Sequence, residues 1–310
     1  MIGKLLEGGT TFSFEFFPPK NEAGADRLFE HIVALEALGP SFVSITYGAG
    51  GGTRKLTRDV VHRVKEQTGV ATMPHLTCVG HSEGEINEIL EGYAERGVTD
   101  ILALRGDPPA VEGGVYDWEG DHFRYAGQLV EHIQRFNDRH AGKGFDGFSV
   151  GVAGFPEGHP GTANRLDEMN YLKAKVDAGA DFVVTQMFFE NRDYFDFCDR
   201  CVLGGIKVPV VAGIMPVQSI SGMKRMADLA LGMRFPASML RAVRRTDGSD
   251  EAIRRVGVHW ATEQCRDLLD HGARGIHFYT LNKSGATMEI YRSLGVRDSS
   301  QLAGGEMLPF

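Results

Sequence analysis

Eight β-branched, apolar runs spread over 310 residues, with helical apolar periodicity between them, predict an α/β chain closed as a (β/α)8 TIM barrel. Two further observations favour closure over an open doubly wound sheet. The first run stops at Pro18-Pro19, and the glycines between Gly48 and Gly52 do not follow the Gly-x-Gly-x-x-Gly spacing of a dinucleotide turn. Polar residues also collect at the C-terminal ends of the runs, which is where such barrels carry their chemistry. No linker or low-complexity stretch interrupts the pattern, so one domain over residues 1–310 is expected.

The first strand is the aromatic run Thr11 to Phe17, closed by Pro18-Pro19-Lys20. Leu28, Phe29, Ile32, Val33, Leu35 and Leu38 then repeat at helical spacing. Phe42 to Gly48 is the second strand, and Val60, Val61 and Val64 mark the next helix. Ala71 to Cys78 makes a third strand, weakened because Pro74 removes a ladder donor. A helix through Ile86, Ile89, Leu90 and Tyr93 leads to the fourth strand, Asp100 to Gly106. The connection from Asp107 to Asp121, with Pro108-Pro109, Tyr116 and Trp118, has no period of its own and reads as a functional loop. A helix through Phe123 and Phe136 precedes the fifth strand, Phe148 to Phe155, and one through Leu166 and Val176 precedes the sixth, Asp181 to Phe189. Val208 to Pro216 and Gly275 to Asn282 are the seventh and eighth strands, with extra helices between Ser219 and Cys265.

A net charge of −8 disfavours a nucleic-acid footprint or a polybasic membrane surface. No apolar run approaches the ~20 residues needed to span a bilayer, and Met1 to Gly9 is too short and polar for a signal peptide. Cys198 and Cys201 form a lone Cys-x-x-Cys on a helix; with no second ligand pair they read as buried hydrophobes, and Cys78 and Cys265 complete a set suited to a reduced, cytoplasmic protein.

The first strand carries one carboxylate, Glu15. Strand alternation places it opposite Phe12, Phe14 and Phe16, with apolar residues on both faces. A carboxylate buried in apolar surroundings is favoured in its protonated form and suits a proton donor near neutrality, which makes Glu15 the first catalytic candidate. Around it fall Thr46 and Tyr47, His75, Arg105, Gly106 and Asp107, His159, Gln186, Gln218 and Asn282, each near the end of a strand. Arg105 offers a rigid fork for phosphate or carboxylate, and the Gly48 to Gly52 backbone suits close approach to an anion. Lys173 and Lys175 either reach a pyrophosphate or lie on a solvated face. His75 and His159 lack a third ligand at useful spacing, so no metal is expected. These residues describe proton-coupled chemistry on a phosphorylated ligand or with a phosphorylated cofactor, and leave the reaction open. A non-redox lyase or aldolase is the alternative, for which a Schiff-base lysine late in a strand would be required.

The motifs Phe14-Glu15-Phe16-Phe17-Pro18-Pro19-Lys20, Ser44-Ile45-Thr46-Tyr47-Gly48, Pro74-His75-Leu76-Thr77-Cys78, Leu104-Arg105-Gly106-Asp107-Pro108-Pro109, Phe155-Pro156-Glu157-Gly158-His159-Pro160, Thr185-Gln186-Met187 and His277-Phe278-Tyr279-Thr280-Leu281-Asn282 occur in an order that closely resembles the 5,10-methylenetetrahydrofolate reductase family of the bacterial type, in its catalytic barrel. The resemblance implies non-covalent FAD at the strand ends and ping-pong hydride transfer from NADH or NADPH to 5,10-methylenetetrahydrofolate. The product, 5-methyltetrahydrofolate, would supply methyl groups for methionine synthesis. It implies that Glu15 is the general acid and Asp107 the carboxylate beside flavin and pterin. Thr46, Tyr47, Ala49, His75, Arg105, Gly106, Asp107, Tyr125, Ala126, Phe155, His159, Glu168 and Lys175 match cofactor-binding positions. Glu15, Thr46, Asp107, Gln186 and Lys283 match substrate positions. Phe155, Glu168, Tyr171 and Lys283 depart from the tyrosine, aspartate, asparagine and arginine found in some members, and a homo-oligomer is implied.

Overall fold

The structure, a computed structural model, describes residues 1–19, 22–47, 54–107, 116, 121–230 and 232–303. Its strands are β1 (Thr11–Phe16), β2 (Phe42–Ile45), β3 (Thr72–Thr77), β4 (Asp100–Leu104), β5 (Ser149–Gly154), β6 (Phe182–Thr185), β7 (Val210–Ile214) and β8 (Gly275–Tyr279). All pair in parallel, in chain order, and β8 closes on β1 with Glu15 opposite Tyr279. The expected (β/α)8 barrel is therefore the observed fold. The strands are shorter than the apolar runs suggested: β1 ends at Phe16, and Gln186 lies one residue beyond β6.

The helices before β7 are α1 (Ile2–Gly8), α2 (Glu22–Glu36), α3 (Arg54–Thr68), α4 (Glu83–Glu95), α5 (Ala126–His140), α6 (Arg165–Asp177) and α7 (Asn191–Leu203). Between β7 and β8 come α8 (Ile220–Leu229), α9 (Ala237–Arg244) and α10 (Asp250–Asp270), which are the extra helices foreseen there. After β8 come α11 (Gly285–Ser293) and α12 (Ser300–Ala303). Polar caps fix several starts: Ser82 and Glu85 form a capping box on α4, and Asn164, Ser219 and Ser249 accept backbone N–H groups of α6, α8 and α10. Among the described residues no helix is long and apolar enough to cross a membrane.

Strand alternation sorts each run into two environments. Phe12, Phe14, Phe16, Val150, Val152 and Phe278 face outward into the shell beneath the helices, and Phe14 packs on Phe278 and on Tyr291 of α11. Full burial of each such side chain stabilises by about 1.5–3 kcal/mol. The inward face of the lower barrel is a separate cluster of Phe42, Met73, Leu102, Phe182, Val184 and Val211, into which α1 inserts Ile2 and Leu6. The Ile2 N–H donates to Asp100 and the Gly3 N–H to Ser149, both at strand starts, so α1 caps the N-terminal mouth. A third, methionine-rich cluster, including Met187, Met215, Met223, Met226 and Met239, seats α8, α9 and α10 beside Tyr279 and Leu281.

Candidate active site

Above the apolar floor the barrel interior turns polar. On successive strands the inward side chains are Ser13 and Glu15 of β1, Ser44 of β2, His75 and Thr77 of β3, and His277 and Tyr279 of β8. His277 Nδ1 is 2.7 Å from Ser13 Oγ, and its Nε2 is 3.2 Å from Ser44 Oγ. Glu15 Oε2 stands 3.6 Å from that same Nε2 and 3.4 Å from His75 Nε2. Glu15 is only 6 % exposed. Its setting differs from the expected one, because Phe14 and Phe16 face the outer helices. The groups around the carboxylate are imidazoles and hydroxyls on neighbouring strands. Desolvation pushes His75 down to about 4, against a smaller opposing pull from Glu15, so at neutral pH a neutral imidazole faces the Glu15 side chain.

Tyr279 extends from β8 past β7 and donates to the Thr185 carbonyl oxygen of β6 at 2.6 Å. That crossing requires glycine at 213, where a Cβ would lie 2.3 Å from the Thr185 oxygen and 2.7 Å from the Tyr279 ring. Gln186, the next residue, is thereby fixed at the mouth, with its Oε1 accepting the Met187 N–H at 2.9 Å. Burial, with the Glu15 charge adding to it, raises the Tyr279 phenol well above its usual range.

A second polar group covers the β4, β5 and β6 side. Arg105, Gly106 and Asp107 follow β4, with Arg105 and Asp107 exposed. Gly106 has φ +82°, and a Cβ there would stand 2.8 Å from the Thr77 Cβ, so only glycine fits this cradle. His159 stands within electrostatic reach of Arg105, Lys175 and Asp107. Desolvation and the two cations lower its imidazole, while Asp107 opposes them. The His159 N–H donates to Glu168 Oε1 at 3.1 Å, and Phe155 meets its ring edge-on at 4.8 Å. Glu168 is buried, and desolvation holds its carboxyl above the usual range. Lys175 is not on a solvated face: its Nζ turns inward to the Ala153 carbonyl oxygen at 2.6 Å, and burial brings it down to about 8. Lys173, by contrast, pairs with Asp177.

The remaining candidates divide. Thr46 is buried, its N–H donating to the Phe16 oxygen. Tyr47 pairs with His81 Nε2 at 3.0 Å, and since His81 Nδ1 lies 2.8 Å from the Val79 oxygen, the phenol donates. Tyr125 and Ala126 form the start of α5, with Tyr125 exposed, and Tyr171 and Lys283 are exposed. Asn282 clamps the end of β1: Oδ1 accepts the Phe17 N–H at 2.7 Å and Nδ2 donates to the Phe17 oxygen at 2.9 Å. Ala49, the Gly48 to Thr53 loop and Trp118 lie outside the described residues. Sequence reasoning missed Ser13, Ser44 and His277; their signal was a polar residue at an inward position of a strand, readable only once the inward face is known.

Whether this mouth suits a large phosphorylated cofactor is testable on its own atoms. Thr77 Oγ1 is buried without a hydrogen-bond partner directly beneath Gly106, and His75 Nε2, two residues earlier on β3, makes no hydrogen bond beyond its 3.4 Å approach to Glu15. His159, and Arg105 and Lys175 within its electrostatic reach, supply cationic and polar groups on the β4 to β6 side. The donor set and the orphaned atoms fit a flavin dinucleotide.

The family model for methylenetetrahydrofolate reductase matches residues 2–295. The chain is 40 % identical over 306 residues to methylenetetrahydrofolate reductase (NADH) 1 of Arabidopsis thaliana, covering 96 % of this chain and 50 % of that protein. It thus spans about half the length of the plant relatives it matches. It is 36 % identical to 5,10-methylenetetrahydrofolate reductase of Escherichia coli, covering 94 % of this chain and 93 % of that one. Among solved structures, an uncharacterized Clostridium thermocellum protein described as binding two copies of 5-methyl-5,6,7,8-tetrahydrofolic acid superposes with a TM-score of 0.62 at 12 % identity, covering 96 % of this chain and 99 % of that one, a likeness of fold. With a closed eight-stranded barrel, a buried glutamate at its mouth and these matches along nearly its whole length, the chain belongs to the methylenetetrahydrofolate reductase family.

Proposed function

We propose that this protein reduces 5,10-methylenetetrahydrofolate to 5-methyltetrahydrofolate with NADH or NADPH, using non-covalent FAD, and so feeds methyl groups toward methionine synthesis. The observation that carries the reading is the Glu15 carboxyl at the C-terminal mouth, 3.4 Å from His75 and 3.6 Å from His277, in a chain of this family. FAD, when bound, would supply the hydride relay, taking hydride from the nicotinamide and giving it to the one-carbon unit. Arg105, His159 and Lys175 would hold its phosphates, Gly106 would admit it closely, and Glu168 would accept from a ribose or ribityl hydroxyl. Thr46, Tyr47, His75, Tyr125, Ala126 and Phe155 complete the described part of the pocket.

The protein's own part in the chemistry is acid catalysis and charge placement. Glu15 donates a proton to a ring nitrogen of the folate imidazolidine, whose C–N bond breaks to leave a cationic one-carbon unit. Asp107 stabilises that positive charge. The Ser13–His277–Ser44 hydrogen bonds fix the imidazole below Glu15, giving the acid a polar neighbour for proton exchange. Gln186, fixed by its contact with Met187, orients the pterin or nicotinamide, and Lys283 at the rim meets the anionic glutamate tail. A Schiff-base lyase finds no support, because none of the eight strands carries a lysine. The four free thiols support a reduced, cytoplasmic setting, and the family resemblance supports a homo-oligomer.

The test is spectroscopic. Purified protein is expected to be yellow, to bleach anaerobically with NADH or NADPH, and to regain colour when 5,10-methylenetetrahydrofolate is added. A colourless protein that gains no activity with added FAD overturns the proposal.

A further inference from the structure

The loop from Phe155 to His159, between β5 and α6, is gripped from outside by arginines of three different segments. Arg165 of α6 and Arg200 of α7 both donate to the Pro156 carbonyl oxygen, at 3.0 and 3.2 Å. Arg234, in the α8–α9 connection, donates its backbone N–H to both oxygens of Glu157, at 3.1 and 3.2 Å, and its Nε to Oε1 at 3.0 Å. Its Nη2 donates to both oxygens of Asp193, in the first turn of α7, at 3.0 and 3.1 Å. Exposed ion pairs usually contribute little, since solvent screens them and side-chain freedom is lost in holding them. This one departs from that pattern, because the Glu157 side chain is only 6 % exposed and the guanidinium fork engages two carboxylates. Phe155 and His159 flank Glu157 by two residues on either side. Their rings touch each other, and the Gly158 N–H closes the turn onto the Phe155 oxygen at 3.0 Å. A displacement of Glu157 therefore moves both rings.

We propose that Arg234 is a positioning residue: by holding Glu157 and Asp193 together it fixes the loop that presents Phe155 and His159, so that the α8–α9 segment sets FAD affinity from outside the binding site. This rests on the cofactor reading above. The test uses the full chain with Arg234→Ala, Glu157→Gln, the double variant and Asp193→Asn. It measures FAD dissociation constants by flavin fluorescence, and amide hydrogen exchange of the FAD-free protein. Each variant at Arg234 or Glu157 is expected to weaken FAD at least about tenfold, with the double variant no weaker than the worse single one, as for residues acting through one contact. Asp193→Asn, which removes only the α7 half of the grip, is expected to weaken FAD in the same direction by less. The Gly158 and His159 amides are expected to exchange at least about tenfold faster while those of β4 and β6 keep their rates. Additive losses, or exchange that rises evenly across the barrel, overturn the role in favour of general stability. A wild-type protein that binds FAD no tighter than its variants overturns this role alone. One that binds no FAD overturns the cofactor reading as well.

Discussion

Glu15 and His75 meet at 3.4 Å although their strands do not pair: β2 lies between them, and its inward residue at that level is a serine, Ser44. The small side chain lets the carboxylate of β1 and the imidazole of β3 meet above it, with His277 at 3.6 Å completing the surround.

Replacing this carboxylate separates the two halves of the proposed reaction. Glu15→Gln keeps the shape and removes the ionisable carboxyl, so bleaching of the flavin by NADH or NADPH is expected to proceed at near wild-type rate. Reoxidation by 5,10-methylenetetrahydrofolate is expected to slow by about 10²–10⁴-fold, the usual contribution of a positioned acid. Stopped-flow absorbance of each half-reaction checks it, and equal slowing of both would remove the acid role.

His75 makes stability depend on pH. Its folded-state value of about 4 lies below the ordinary 6.5, so the unfolded chain binds the proton first. The contribution is whole above pH 6.5 and is lost as pH falls toward 4, amounting to about 3 kcal/mol across that window. Urea unfolding at pH 7, 5.5 and 4.5 is expected to show this slope, and His75→Asn to flatten part of it.

Lys175 is expected to govern FAD affinity on the alkaline side. Its ammonium titrates at about 8 in the free protein, so it is charged at pH 7 and progressively neutral above pH 8. Affinity for the cofactor's phosphates should fall above that value, by up to about tenfold per pH unit until the bound-state value is reached. Lys175→Arg, which keeps its charge, should flatten the profile in fluorescence titrations between pH 7 and 9.5.

Gly106→Ala tests the cradle. A side chain at φ +82° costs about 1–2 kcal/mol, and its Cβ would also press on Thr77. The expected result is a loss of that order in urea unfolding and a larger loss of FAD affinity. An unchanged dissociation constant would show that the loop does not approach the cofactor closely.

The periodic part of this architecture was open to sequence reasoning because each strand announces itself locally. Val150 and Val152, or Phe12 and Phe14, alternate with smaller or polar residues whatever their neighbours are. Glu15 stood out for the same reason. Its environment did not, because His75, Ser44 and His277 reach it only through barrel closure, and the conspicuous phenylalanines beside it in sequence face away. Lys175 shows the same limit: the helix α6 mixes polar and apolar residues around its circumference, and only packing against β5 turns this lysine inward. Asn282 was legible as a polar strand end, while its pair of bonds to Phe17 became visible only with the fold. Helix α1 was too short and too polar to announce itself, and its helical form depends on the barrel it caps.

That cap has a kinetic consequence. With Ile2 and Leu6 packed into the apolar floor, the described residues close the N-terminal end of the barrel, so a ligand of Glu15 is expected to enter and leave at the C-terminal mouth. In the proposed reaction the two substrates would share that entrance: an oxidised nicotinamide still in it would obstruct the incoming pterin, and a lingering methylated pterin would obstruct the next nicotinamide. Each substrate at high concentration should therefore inhibit competitively against the other, a signature that a barrel open at both ends would not impose.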